Sequence, residues 1–140
     1  MGEWFGLPEW VAITALVALS LCVYTAFGYG SIRKAHIRTA ARRPNLTEAE
    51  FRAMMEKECA PDIAQFLWDQ CLSYVEPRLT PHPDDHLFDD LKIDDDDVSM
   101  DWTREWSARR GFHESNFQDW PSDWAPTVRN FGRWLEMGPI

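Results

Sequence analysis

Residues 84–112 read DDHLFDDLKIDDDDVSMDWTREWSARRGF. The first half of this stretch holds eight aspartates, and four apolar residues lie between them: Leu87, Phe88, Leu91 and Ile93. A solvated acidic tail has no use for apolar residues at that spacing, whereas a loop that packs on a core and presents carboxylates to water needs them. We therefore predict that residues 84–97, called the acidic loop below, are folded and lead into a helix.

The residues after the loop predict a helix that begins between Asp94 and Asp97 and ends near Arg110. Aspartates accept hydrogen bonds from the free N–H groups of a first helical turn, and they complement the positive end of the helix dipole. Arginines are favoured at the opposite end, where Gly111 stops the helix. Four residues recur at helical spacing: Val98, Trp102, Trp106 and Arg109. We expect that face to be buried.

Residues 10–29 contain no charged side chain over twenty positions. As a helix rising about 1.5 Å per residue, that length spans the hydrocarbon core of roughly 30 Å. The sequence therefore predicts a transmembrane helix over 10–30, with aromatic residues near its ends: Trp4, Trp10, Tyr24 and Tyr29. A cleaved signal peptide is the alternative, which the acidic leader disfavours because such peptides begin with positive charge.

Charge divides the chain into further segments. Residues 1–9 carry −2, residues 31–43 carry +5, and residues 44–140 carry nine basic against twenty-one acidic side chains. The positive-inside rule then places residues 31–140 in the cytoplasm and leaves 1–9 on the outer side of the membrane. We expect a basic juxtamembrane linker over 31–45, near inner-membrane lipid headgroups, and an acidic domain over 46–140. Such a domain repels nucleic acid and attracts basic proteins, cationic ligands or metal ions.

The remaining helices have local sequence signals. Thr47 and Glu50 form a capping box for a helix ending near Ala60, and Pro61 opens a second helix that ends before Pro77. A last helix buries Val128, Phe131 and Leu135 and stops at Gly138. No stretch alternates apolar and polar residues over the length of a strand. The predicted fold is all-α, a single transmembrane helix followed by a small helical bundle.

No motif for catalysis or for a bound cofactor is present. The chain lacks a P-loop, a Rossmann glycine pattern, a nucleophile elbow and an HExxH motif. Cys59 and Cys71 lack metal-ligand spacing and are interpreted as small core residues in a reducing compartment. An EF-hand starting at Asp95 would need glycine where Met100 stands and glutamate where Trp106 stands. We predict no enzyme activity, cofactor or small-molecule substrate, and we assign no metal ligands. A weakly bound, partly hydrated divalent cation at the aspartates is the alternative to a patch that meets a basic partner.

The acidic loop resembles the acyl carrier protein family. Seven residues match the carrier pattern in order: Leu87, Phe88, Asp89, Asp90, Leu91, Ile93 and Asp94. Lys92 takes the place of a glycine, and Asp95 takes that of the serine to which phosphopantetheine is attached. Because a carboxylate cannot form the phosphodiester, the attachment chemistry is lost, and Ser99, one turn further on, is a poor substitute.

The chain is also similar to an uncharacterised bacterial family of acyl-carrier-like proteins that lack this serine. The matching segments are Ile93–Asp97, Arg110–Phe112 and Phe117–Pro121. The resemblance implies a compact helical bundle with a charged second helix, which in true carriers docks on basic patches of partner enzymes. It implies no activity, since none is established for that family.

These observations predict a membrane-anchored, non-catalytic, acyl-carrier-like protein that binds a basic protein partner. The predicted contact residues are Asp89, Asp90, Asp94, Asp95, Asp96 and Asp97, with neighbouring exposed apolar residues adding short-range specificity. One alternative is an immunity or inhibitor protein for a basic toxin. Another is an accessory subunit of an inner-membrane complex, which would use the anchor as its main contact. The enzymatic alternative is carrier activity through phosphopantetheine on Ser99.

Overall fold

The computed structural model describes Gly6, residues 8–75 and residues 79–140. Trp4 and Pro77, which the sequence analysis placed at a membrane interface and at a helix end, lie outside these residues. Five α-helices form, in the order α1 (Glu9–Arg42), α2 (Glu48–Met55), α3 (Pro61–Leu72), α4 (Thr103–Arg110) and α5 (Val128–Met137). No strand is found in the described part of the chain, where two isolated bridges are the only extended pairings. The all-α prediction is confirmed at this level.

α1 is much longer than the predicted transmembrane segment. Its apolar part is exposed, and by length and composition this helix is long and apolar enough to cross a membrane. The chain divides into two compact units between Lys34 and Ala35. The second unit therefore includes the last turns of α1, whereas the sequence analysis began the folded domain at 46.

The end of α1 belongs to the second unit because polar side chains bind it to the acidic loop. His36, which is 2% exposed, lies 2.7 Å through Nε2 from the carbonyl oxygen of Leu91. The Thr39 hydroxyl donates to the carbonyl of Asp90 at 2.9 Å. Both contacts join residues far apart in sequence, so no local sequence pattern predicts them.

Several helix ends follow the predicted chemistry. Thr47 and Glu50 make both hydrogen bonds of the capping box, and Gly111 closes α4 in the left-handed conformation with φ 79°. α2 ends at Met55, earlier than predicted, and residues 56–58 form turns instead of continuing the helix. Ala60, which precedes a proline, takes extended backbone angles and separates these turns from α3. α3 ends at Leu72, where Ser73 and the next residue form tighter hydrogen bonds to carbonyls three residues back.

The core of the second unit is rich in aromatic side chains. α3 packs against α2 and α5, and three ring pairs connect the elements: Phe51 with Trp68 at 5.4 Å, Phe66 with Trp106 at 5.0 Å, and Trp102 with Phe131 at 5.9 Å between centroids. Such pairs contribute about 0.5–1.5 kcal/mol each beyond the burial of their area. The tryptophans predicted to face inward, at 102 and 106, are buried.

The helix predicted from the acidic loop to Arg110 contains a wide turn. Residues Asp97–Trp102 are π-helical, and α4 follows directly. The Thr103 hydroxyl donates to the carbonyls of Ser99 at 2.7 Å and of Met100 at 3.1 Å. It thereby occupies a carbonyl that the Thr103 N–H would bind in an α-helix, which is a known cause of helix distortion. We call residues 97–102 the π segment.

Candidate partner-binding face

The acidic loop is folded on apolar residues, as predicted. Leu87 and Leu91 are fully buried, and Ile93 is 3% exposed. The loop backbone is also fixed, because the Leu87 N–H donates to the carbonyl of Pro126 at 2.9 Å and the Val128 N–H donates to that of Asp85 at 3.0 Å. The aspartates of the loop are therefore held at defined positions next to the start of α5.

Two of the eight aspartates neutralise basic residues within the fold and were not among the predicted contact residues. Asp85 is 3% exposed and forms an ion pair with Arg43 at 2.5 Å. Asp84 receives a hydrogen bond from Arg129 Nε at 3.0 Å, and Arg129 also pairs with Glu58 at 2.8 Å. Burial lowers the pKa of Arg129, but these two carboxylates outweigh that effect and raise it.

Asp90 was predicted to contact a partner, and the structure gives its carboxylate partners within the chain. It accepts the backbone N–H of His86 at 2.8 Å and lies 2.5 Å from Arg42 Nη2. Burial raises the pKa of Asp90, but the hydrogen bond from His86 and the charge of Arg42 together lower it below its ordinary value. We assign Asp90 to the fixing of the loop.

The other five predicted residues form what we call the acidic face: Asp89, Asp94, Asp95, Asp96 and Asp97. The Asp89 side chain is 78% exposed and lies 3.6 Å from His86. Asp94 to Asp96 are exposed, and no Lys, Arg or His among the described residues lies within 4.0 Å of a carboxylate from Asp94 to Asp97. These four adjacent carboxylates thus have no cationic partner within the described part of the chain.

The geometry around His82 and His86 does not assemble a metal site among the described residues. His82 Nδ1 accepts the N–H of Asp84 at 3.1 Å, and His86 Nδ1 accepts that of Asp89 at 3.1 Å. Those ring nitrogens organise backbone turns. Within the described residues, no group of three or more His, Cys, Asp or Glu side chains is arranged to hold a metal ion.

A cavity of about 430 Å³ opens beside the acidic face. It lies between the acidic loop, the π segment and α5, and we call it the anchor cavity. Its lining residues are Leu87, Phe88, Asp95, Val98, Ser99, Thr103, Trp120, Pro126, Phe131 and Trp134. From the sequence, Phe131 was predicted to be buried and Phe88 to pack on the core, because apolar spacing does not distinguish a filled core from an open groove.

The buried thiols do not contribute chemistry to this face. Burial and the nearby carboxylates of Glu136 and Glu58 raise the pKa of Cys59 to about 12, and burial raises that of Cys71 as well. Both thiols are therefore held in the unreactive protonated form at neutral pH. Their interpretation as core residues agrees with their burial.

Comparison with known proteins leaves the acidic face to be interpreted from its own geometry. No protein-family model matches the chain, and no curated protein or solved structure matches it.

Proposed function

We propose that this chain is a membrane-anchored, non-catalytic binding protein whose acidic face docks on a basic protein. The observation that carries the proposal is the contrast within one loop. Asp84, Asp85 and Asp90 are paired with arginines of the chain, whereas Asp94 to Asp97 have no basic neighbour among the described residues. When the described arginines pair with some carboxylates of the loop and with none of the adjacent four, an external cation is favoured for those four.

Electrostatics explains why a protein would hold carboxylates in this way. Adjacent like charges repel one another, which costs stability, and a basic partner surface relieves that repulsion on binding. Because the loop is fixed by buried leucines and backbone hydrogen bonds, little conformational entropy is lost when the partner docks. Exposed charges of this kind raise association rates. At physiological salt their interactions are largely screened beyond the Debye length of about 8 Å.

The membrane part of the proposal rests on α1. We place its apolar portion across a bacterial inner membrane and the second unit in the cytoplasm, because the nearby Lys and Arg residues all follow the apolar stretch. Arg42 and Arg43 are paired with aspartates. Arg33, Lys34 and Arg38 therefore remain as the residues that would meet lipid headgroups.

The acyl-carrier-like part of the proposal has support in one backbone angle. Lys92 stands where the carrier pattern has glycine, and it has a φ of 55° in the left-handed region that favours glycine. Asp95 stands where carriers have serine, so phosphopantetheine has no hydroxyl to attach to at that position. Both features fit a carrier-like loop that has kept its docking charge and lost its prosthetic group.

The proposal is tested by crosslinking in native membranes with a charge-neutral acidic face. In the test variant all five aspartates become asparagine. A control variant removes the same charge from exposed residues elsewhere, namely Glu48, Glu56, Asp69, Asp119 and Asp123. We expect the amount of partner recovered at low salt to fall roughly tenfold or more for the test variant, because electrostatic steering raises association rates by at least about that factor. For the control variant the recovered amount should stay near that of the wild type. Equal recovery from the two variants would contradict the proposal.

A further inference from the structure

We propose that the basic partner inserts one aliphatic or aromatic side chain, flanked by lysine or arginine, into the anchor cavity. This inference rests on the proposed function and adds the short-range chemistry that carboxylates alone do not supply. Charged rims chiefly set association rates, whereas an anchor side chain in a pocket sets much of the affinity of an interface. The anchor cavity and the acidic face lie side by side, since Asp95 belongs to both.

The walls of the anchor cavity are apolar because their polar atoms are engaged elsewhere. Trp120 Nε1 donates to the carbonyl of Trp124 at 3.0 Å, and Trp134 Nε1 donates to that of Gln118 at 3.0 Å. The Thr103 hydroxyl is used within the π segment. The indole rings therefore offer hydrocarbon surface to the cavity. An apolar side chain entering it loses no hydrogen bond and leaves none unsatisfied.

The volume of the anchor cavity accommodates one aliphatic or aromatic side chain. Pockets for small molecules occupy about 300–1,000 Å³, and the anchor cavity, at about 430 Å³, is near the lower end. Its aromatic lining matches the pockets that receive single hot-spot residues at protein interfaces.

The negative charge at the rim of the anchor cavity determines which groups can lie next to the inserted apolar side chain. Asp95 and Ser99 are the exposed polar residues of the lining, and no basic residue lines the cavity. A fatty acid or an anionic lipid would bring its negative headgroup to this rim, where the carboxylates of the acidic face repel it. A lysine or arginine beside the inserted side chain is attracted to the same place, which is why we favour a basic polypeptide.

The experiment uses the full chain in nanodiscs of neutral phosphatidylcholine and two lysine-rich helical peptides. The peptides contain no tryptophan and differ at one central position, which is Phe in one and Ala in the other. Binding is followed by tryptophan fluorescence, since Trp120 and Trp134 line the cavity. We expect the Phe peptide to bind roughly tenfold more tightly to the wild type, the size of a modest anchor contribution.

Filling the cavity should remove that preference. Ser99→Phe projects a ring into the cavity from an exposed lining position, and Ser99→Leu does so with a smaller group if the larger one impairs folding. Both variants should bind the two peptides equally. Ala108→Phe, at an exposed position of α4 outside the lining, should keep the tenfold preference.

The outcomes separate the two proposals. Equal binding of both peptides to the wild type would overturn the anchor cavity, and it would leave the acidic face intact if the five-asparagine variant bound both peptides more weakly. Equal binding of the Phe peptide to the wild type and to the five-asparagine variant would instead count against the proposed function. Tight binding of decanoate that Ser99→Phe abolishes, without any peptide preference, would mark a lipid cavity and overturn the inference.

Discussion

Arg43 binds both carboxylate oxygens of Asp85, with Nε 2.8 Å from Oδ1 and Nη2 2.5 Å from Oδ2. The side chains are 13% and 4% exposed. Arg43 Nη2 also donates to the carbonyl of Thr80 at 2.8 Å, and Asp85 Oδ2 accepts the N–H of His82 at 2.9 Å. This buried, hydrogen-bonded pair joins the end of the α1 region to the start of the acidic loop.

Arg43→Met is expected to destabilise the second unit strongly. The change leaves the buried Asp85 carboxylate without its cation, and breaking one partner of a buried ion pair costs about 3–5 kcal/mol. The free energy of unfolding is measured by urea titration of the full chain in detergent micelles, with tryptophan fluorescence as the signal. Arg42→Met is the control: its side chain is 62% exposed, and exposed pairs contribute about 0–1 kcal/mol. Similar losses for the two variants would contradict the structural role of Arg43.

The lowered pKa of Asp90 leads us to expect that the free energy of unfolding decreases in acid. Its pKa in the folded protein is below that in the unfolded chain, because the His86 hydrogen bond and Arg42 outweigh burial. The stabilisation is therefore present above the unfolded value, about 3.9 for aspartate, and is lost as the pH falls through the folded pKa. The difference in unfolding free energy between wild type and Asp90→Asn should be largest near neutral pH and shrink in acid. A difference that stays constant throughout a pH series from neutral into strong acid would rule out this assignment.

We expect that replacing Lys92 by glycine stabilises the second unit. A residue with a Cβ costs roughly 1–2 kcal/mol in the left-handed region, and Lys92 has a φ of 55°. Lys92→Gly removes that cost, while the greater freedom of glycine in the unfolded chain returns about 0.5–1 kcal/mol. The net expected gain is about 0.5–1 kcal/mol in the same urea titration. Lys92→Ala retains a Cβ and serves as the control, with no gain expected.

Replacing Gly132 by a residue with a larger side chain should overpack the core. A Cβ at this position of α5 would lie 2.7 Å from Met55 Cε, 3.2 Å from Leu67 Cδ1 and 3.3 Å from Cys59 Sγ. Gly132→Val should therefore lower the free energy of unfolding by about 1–3 kcal/mol, the usual cost of overpacking. Met137→Val, at an exposed position of the same helix, is the matched control. Retention of full stability in Gly132→Val would show that the end of the Met55 side chain can move aside at this point.

Local chemistry explains why much of the fold was predictable from the sequence. The capping box at Thr47, the proline at the start of α3 and the glycines after α4 and α5 act within one helical turn, so their residue types identify them. The burial of Leu87, Leu91 and Ile93 also followed from their spacing among aspartates.

Long-range pairing explains what was not predicted. Arg42 and Arg43 are more than forty positions away from Asp90 and Asp85, so charge counting assigned the arginines to the membrane surface and Asp90 to a partner. The anchor cavity likewise joins residues from three separated segments, and the π segment is accompanied by a hydrogen bond from the Thr103 hydroxyl to the carbonyl of Ser99. The spacing of apolar residues along the chain contains no information about the arginine–aspartate pairs, the anchor cavity or the π segment.

The wide turn at Asp97–Trp102 also bears on the length of chain that this part of the fold tolerates. A π-helical turn holds about one residue more than an α-helical turn, so deleting one residue there would return the backbone to α-helical winding, in which each residue advances by about 100°. Because the lost residue and the tighter winding offset one another, the aspartates upstream would keep nearly the same direction relative to α4. The helix can therefore be shortened by one residue at this point with its two flanks still in register.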